Sequence, residues 1–242
     1  DFRQPKRLDA DFLRDLDQAW GRPSARVRLS FLPGVEAPSA PGHEDALMSY
    51  ERGGLGVLVA RGRTSVYEGE AARSATALAR IASGARLRAA LLVTRATPLR
   101  GSGDVAGGSA PGQVRVVADH LNLSGGSLFP APGMVSAGWD ATLTERLGSL
   151  RGVSGSSVVA LVPGPLRPSP AESRALVSLG ADAAVTDSVA EAMILAARGV
   201  AVSALTYLDA PAAGGNLGRA QLSLRQASGV ALAAVEEILR GL

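Results

Sequence analysis

Side chains able to do chemistry are sparse in this chain, and their scarcity is the first constraint. There is no cysteine, which excludes disulfides, thiolate metal sites and cysteine nucleophiles. The only histidines are His43 and His120, too few for a dedicated zinc site. Glycine-rich stretches are the next candidates, because backbone N–H groups in such loops can cradle phosphate. Arg100 to Gly112, RGSGDVAGGSAPG, is too rich in Gly and Ser for regular structure and lacks the Gly-Lys-Ser/Thr of a P-loop. It reads as a surface connection, with a phosphate cradle as the alternative. Gly53-Gly54-Leu55-Gly56 runs into a strand and opens no helix, so it is no better a phosphate motif. Arginines remain. The net charge of +3 and the pI near 9.9 look basic, yet the arginines are interleaved with acids, as in RGRTSVYEGEAAR from Arg61 to Arg73. Nucleic-acid binders concentrate basic side chains on one face, so nucleic acid is not the expected partner.

The elements that must position these groups follow from periodicity. Leu8 to Trp20 carries apolar residues at helical spacing. Arg26 to Leu32 alternates like a strand and ends at the Pro33-Gly34 turn signal. Further strands are expected at Ala46–Tyr50 and Gly56–Ala60, then a helix over 68–84 closed by Gly84 as its C′ residue. Short strands follow at Ala90–Thr94 and Val114–Leu121. The second half alternates: helix Thr142–Leu150, strand Ser157–Val162, helix Pro170–Leu179, strand Ala183–Val185, helix Val189–Arg198, strand Val200–Leu205, and a closing helix over Leu217–Leu239. Ser169-Pro170-Ala171-Glu172 is a capping box with proline at the first helical position. Such alternation implies an α/β protein with a mostly parallel central sheet covered by helices.

Composition agrees. At 46% hydrophobic and 19% charged residues the chain folds, and with 4% aromatics its core must be Ala, Val and Leu. That suits parallel strands buried on both faces. Residues 1–242 are expected to form one domain, with 1–24 as an N-terminal helix and arm. No leader pattern opens the chain and no apolar run approaches the ~20 residues of a membrane span. A cytoplasmic protein without membrane contact is expected.

Five local stretches resemble, in order, motifs of the trimeric purine nucleoside phosphorylase family. Pro41-Gly42-His43 is similar to its Pro-Gly-His loop. Gly62-Arg63-Thr64-Ser65-Val66-Tyr67-Glu68-Gly69 resembles Gly-Arg-x-His-x-Tyr-Glu-Gly. Asp119-His120-Leu121-Asn122-Leu123 is similar to Asp-His-Ile-Asn-Leu. Gly164-Pro165 through Glu172 resembles Gly-Pro-Ser-Tyr/Phe-Glu-Thr-Pro-Ala-Glu. Leu179 to Ala183, followed by Val189 and Glu191, resembles Leu-Gly-Ala-Asp-Ala-Val-Gly-Met-Ser-Thr-Val-Pro-Glu. The resemblance spans about residues 25 to 240. It implies a mixed sheet with a distorted barrel flanked by helices, and a homotrimer.

It also implies phosphorolysis of purine nucleosides, with phosphate as co-substrate and no other cofactor. For phosphate, Arg63 matches the family arginine, whose planar fork suits phosphate oxygens, and His43 matches the loop histidine. The family's two phosphate serines align with Pro33 and Asp187. A carboxylate at 187 would repel phosphate by about 1–4 kcal/mol at 4 Å. For the sugar, Ser65 replaces the motif histidine, Tyr67 is kept, Thr186 stands for the methionine, and Phe129 is similar to the aromatic residue lent to a neighbouring subunit. For the base, Pro168, beside Arg167, replaces the glutamate and Tyr207 the asparagine. Losing one preorganised donor typically costs a hundred- to a thousandfold in rate.

The resemblance therefore leaves two readings. One is a phosphorylase relative acting on a nucleoside or related N-glycoside, in which Arg63, His43 and Tyr67 bind and Tyr207 and Asp187 are replacement groups, Tyr207 and His43 being the catalytic candidates. The other is a catalytically silent homologue serving as a small-molecule-binding or assembly protein. In both, Arg63, Tyr67, Asp187 and Tyr207 are expected to converge on one cleft, and Asp187 to pair with Arg63 when the site is empty.

Overall fold

The computed structural model describes residues 8–40, 43–65, 71–99, 111–124, 138–164, 167–209 and 217–242. Tyr67, Phe129 and most of the glycine-rich segment after Leu99 lie outside them.

The N-terminal layer joins helix α1 (Leu8–Trp20) to a three-stranded antiparallel sheet of β1 (Ala25–Val27), β2 (Leu47–Arg52) and β3 (Leu55–Ala60), in that order. Gly53 and Gly54, both at positive φ, form the two-residue turn between β2 and β3. The GGLG stretch is thus a hairpin turn. Leu16 packs on Met48 and Tyr50, with Phe12, Trp20, Val57, Val59 and Leu232 around them. Tyr50 donates to Asp17 at 2.9 Å, and burial, reinforced by that carboxylate, pushes its phenol up to about 12.

The expected strand Arg26–Leu32 stops at Val27, and Leu29–Phe31 form a 3-10 turn. Two contacts outweigh the alternating pattern: Leu29 is fully buried, and Ser30 donates both its N–H and its hydroxyl to Asp45. Pro33-Gly34 then turns, with Val35 N–H donating to Leu32 O at 3.1 Å and Gly34 at φ 75.

The second layer is a closed barrel in the order β4 (Ala89–Pro98), β7 (Ala183–Val185), β6 (Val153–Leu161), β5 (Val114–Asn122), β8 (Ala201–Leu208). Pairs β4–β8, β5–β6 and β6–β7 are parallel, while β4–β7 and β5–β8 are antiparallel. The mostly parallel sheet expected from sequence is therefore closed on itself by antiparallel seams. Ala96, Val117, Val159, Ala183, Val185, Val202 and Ala204, from all five strands, meet in one cluster. Helices α3 (Ala77–Gly84) and α6 (Val189–Ala196) add Ala79, Val189 and Ile194 to it. The opposite face of β4, β5 and β8 packs on α4 (Ala141–Gly148) and α7 (Leu217–Arg240). Helix α5 (Pro170–Ser178), started by the Ser169–Glu172 capping box, covers β6 and β7 through Leu176. A short α2 (Ala72–Ala75) precedes α3, and the expected single helix breaks at Thr76, whose hydroxyl bonds Ala72 O at 2.7 Å. Gly84 is not the left-handed C′ residue: it stays helical, and Arg86 takes φ 56 instead.

Candidate functional site

The site is built where β7 leaves β4. Thr97 pairs with Ala184 and Pro98 with Ala183, and this antiparallel register, extended, carries Asp187 to Thr94 and Ser188 to Val93. The chain instead turns into α6 through Ser188, a non-glycine residue at φ 73 and 2% exposed. Thr94 still reaches across and donates its hydroxyl to Asp187 Oδ1. The carbonyl of Val93 accepts from Arg63 Nη2 at 3.0 Å, so a guanidinium fills the gap left by the departing strand.

Arg63 arrives from the segment after β3, and that segment is pinned along its length. Arg61 N–H donates to Ala46 O at 2.9 Å, and its guanidinium pairs with Glu44 at 2.7 Å. Gly62 is required by close approach: a Cβ there would lie 2.5 Å from Glu44 O and 2.9 Å from Pro38 Cγ. Arg63 N–H donates to His43 Nδ1 at 3.0 Å, which assigns the neutral imidazole proton to Nε2. Thr64 donates to Glu36 O at 3.0 Å.

The guanidinium is held from several sides. Nη1 donates to Ser188 Oγ at 3.1 Å and lies 3.6 Å from Glu191 Oε1, and Nη2 lies 3.3 Å from Asp187 Oδ1. Ser188 Oγ donates in turn to Asp187 Oδ1 at 2.9 Å. The three charged side chains are 14–19% exposed. Burial pushes the Glu191 carboxyl above its ordinary value; Arg63 opposes that and Asp187 reinforces it. Chemically, this is an arginine whose positive charge is met by the protein's own carboxylates, with a histidine against its backbone N–H.

His43, Arg63 and Asp187 are thus brought together, and the expected Arg63–Asp187 pair is present. Thr186 adjoins them on the same loop, half-buried, and Ser65 is buried two residues beyond Arg63. Tyr207 does not join them. It pairs in register with Arg95, next to Thr94, so it lies on the other face of the sheet. There it is 3% exposed and packed with Leu143, Leu147, Ala227 and Val230. Arg167 also lies apart, donating to Asp209 Oδ2 at 3.1 Å beside Arg95 at 2.6 Å, and half-buried Pro168 leads into α5. Thr94, Ser188 and Glu191 have site contacts that the motif reading left without a role. The Ser188-x-x-Glu191 spacing, that of a capping box, was the signal for two of them.

Among the described residues no group of three or more His, Asp or Glu side chains could hold a metal ion, and no helix is long and apolar enough to cross a membrane.

A mixed five-stranded barrel flanked by helices, with an arginine paired to two carboxylates at the strand-to-helix junction, defines an α/β protein. No protein-family model matches the chain. It is 33% identical over 200 residues to the purine nucleoside phosphorylase of Mycobacterium tuberculosis, covering 81% of this chain and 72% of that protein. To that of Mycobacterium leprae it is 34% identical over 187 residues, covering 76% and 67%. The chain belongs to the purine nucleoside phosphorylase family. Its fold is similar to isoform 2 of the Schistosoma mansoni enzyme, solved with cytosine and ribose-1-phosphate, at TM-score 0.73 and 19% identity over 94% of this chain and 86% of that one. It is also similar to a Schistosoma mansoni purine nucleoside phosphorylase solved with inosine, at TM-score 0.71 and 17% identity over 97% and 96%.

Proposed function

We propose that this chain is a purine nucleoside phosphorylase-type pentosyltransferase whose phosphate seat, centred on Arg63, is closed at rest by Asp187. The observation that carries the reading is the guanidinium itself, held by Val93 O, Ser188, Asp187 and Glu191. The ligand class, a purine nucleoside and phosphate, comes from the family and from ligands in the Schistosoma structures.

In this reaction a phosphate oxygen bonds to C1′ of the sugar and the C1′–N bond breaks. The electron pair leaves with the base, which takes a proton, giving free base and ribose 1-phosphate. Arg63 and His43 hold the phosphate, with Ser65 and Thr186 toward the sugar; the family resemblance assigns Tyr67 to the sugar and Phe129 to a neighbouring subunit of a homotrimer. Two features slow the reaction. Phosphate has to share Arg63 with Asp187, and drawing the guanidinium from a partly buried pair opposes binding. The leaving base also finds no donor or acceptor side chain at Pro168, and Tyr207 faces the core on the other side of β8. That second feature favours the alternative of a silent, ligand-binding homologue.

The test is phosphate-dependent turnover of inosine and guanosine by wild type and Asp187→Ser. Slow wild-type turnover with a high phosphate KM, lowered about fivefold or more by Asp187→Ser, is expected from a repulsion of about 1–4 kcal/mol. Absence of turnover in both, with nucleoside still bound, establishes the silent alternative. Fast wild-type turnover at low phosphate refutes the closed seat.

A further inference from the structure

The three groups that hold Asp187 converge on one of its two oxygens. Arg63 Nη2, Thr94 Oγ1 and Ser188 Oγ all engage Oδ1. Oδ2 has no hydrogen-bond partner among the described residues, and the side chain is 16% exposed. The carboxylate is therefore fixed through Oδ1, which leaves Oδ2 able to accept a hydrogen bond from a ligand beside Arg63. An ionised carboxylate only accepts hydrogen bonds, so its neighbour must donate.

We infer that Asp187 makes the Arg63 seat selective for oxyanions that carry their own proton, hydrogen phosphate or hydrogen arsenate, and against sulfate, which carries none. The inference rests on the reading of Arg63 as an oxyanion seat. A P–OH group donates to Oδ2, turning a like-charge encounter into a charge-assisted hydrogen bond, while the remaining phosphate oxygens face the arginine. Sulfate is the same size and carries the same double charge as hydrogen phosphate, but offers Oδ2 only lone pairs. Glu191, pushed toward its neutral form by burial, adds less negative charge than a second ionised carboxylate would. Asp187 is then a specificity-determining residue, and its replacement of a serine narrows what the seat accepts.

The probes are inorganic phosphate and sulfate, titrated calorimetrically into the full chain at neutral pH and matched ionic strength. Wild type should bind phosphate roughly tenfold to a hundredfold more tightly than sulfate, the usual worth of a hydrogen bond to a charged group. In Asp187→Asn the ratio should fall toward one, because an amide can both donate and accept. Asp187→Ser serves the same purpose should the asparagine variant fail to fold. Equal wild-type affinities overturn the inference, as does a ratio that survives both substitutions. If wild type binds neither anion while Asp187→Ser binds both alike, Asp187 excludes oxyanions regardless of their protons, and only the seat reading stands. If folded Asp187→Ser also binds neither, the seat reading fails and the inference with it.

Discussion

Replacing Tyr207 with Asn would bring in the residue type that the family resemblance implies there, yet it should unfold this protein more readily without helping it bind a base. Tyr207 is 3% exposed and packed among Val114, Leu143, Leu147, Leu205, Ala227, Val230 and Ile238. Truncating a buried aromatic costs about 3–5 kcal/mol, and leaving an amide in that apolar contact adds to the loss. For a chain of this length the melting temperature should fall on the order of 10 °C. Tyr207→Phe keeps the ring and should cost only about 1 kcal/mol. Guanidinium unfolding of the three proteins, followed by circular dichroism, measures both differences. If Tyr207 lined the same cleft as Arg63, asparagine there would be solvated and change stability by about 0.5 kcal/mol. A Tyr207→Asn variant as stable as wild type would therefore refute the assignment of this side chain to the α4–α7 core.

Gly62→Ala places a methyl group 2.5 Å from the Glu44 carbonyl and should cost about 1–3 kcal/mol while weakening phosphate binding through Arg63; unchanged calorimetry and unfolding would show that the segment yields freely. Glu191 has its carboxyl raised above 4.5 by burial, so its contribution is complete below pH 4.5 and is lost as pH rises through the raised value. Glu191→Gln should therefore gain stability relative to wild type from pH 4.5 upward, and parallel pH–stability curves would count against it. His120 accepts from Trp139 Nε1 at 3.1 Å through Nδ1, and burial, partly opposed by Asp119, lowers it below 6.5. Its contribution is full above pH 6.5 and lost as pH falls through the lowered value. Trp139 fluorescence in a Trp20→Phe background should change in that acid window, and persistence of the step in His120→Gln would assign it elsewhere.

Local signals carried most of the element assignments. The α1 range and the α5 start were legible because each depends on residues within one turn: apolar spacing for the first, Ser169 and Glu172 for the second. Errors arose where a distant partner decides. Arg28 to Leu32 alternates as well as any strand, and only Asp45, from elsewhere in the chain, takes up Ser30 and ends it. Strand β4 runs on to Pro98 because β7 pairs with its end, a contact invisible from ALLVT alone. Closure into a barrel rests on the β4–β7 and β5–β8 antiparallel seams, and periodicity within a strand says nothing of its neighbour's direction. Tyr207 shows the same limit more sharply. Aligning it with a family asparagine fixed its place along β8, but the face it presents follows from strand parity and from the helices packed outside.

The β7–α6 junction explains how Asp187 can stand in the proposed phosphate seat without disturbing the fold. Helix α6 directs its first backbone N–H groups toward this point, and the positive end of a helix favours an anion. Arg63 adds a full positive charge beside it. In the proposed reaction that charge is met by phosphate; here Asp187 supplies negative charge from the chain itself. Such a tethered carboxylate acts at an effective concentration that dissolved phosphate must match. The scaffold is therefore satisfied with the seat empty, and the arginine needs no ligand to keep its place. On the proposed reading, weak phosphate binding is the expected outcome of how well the resting site is made, with no loss of structure required.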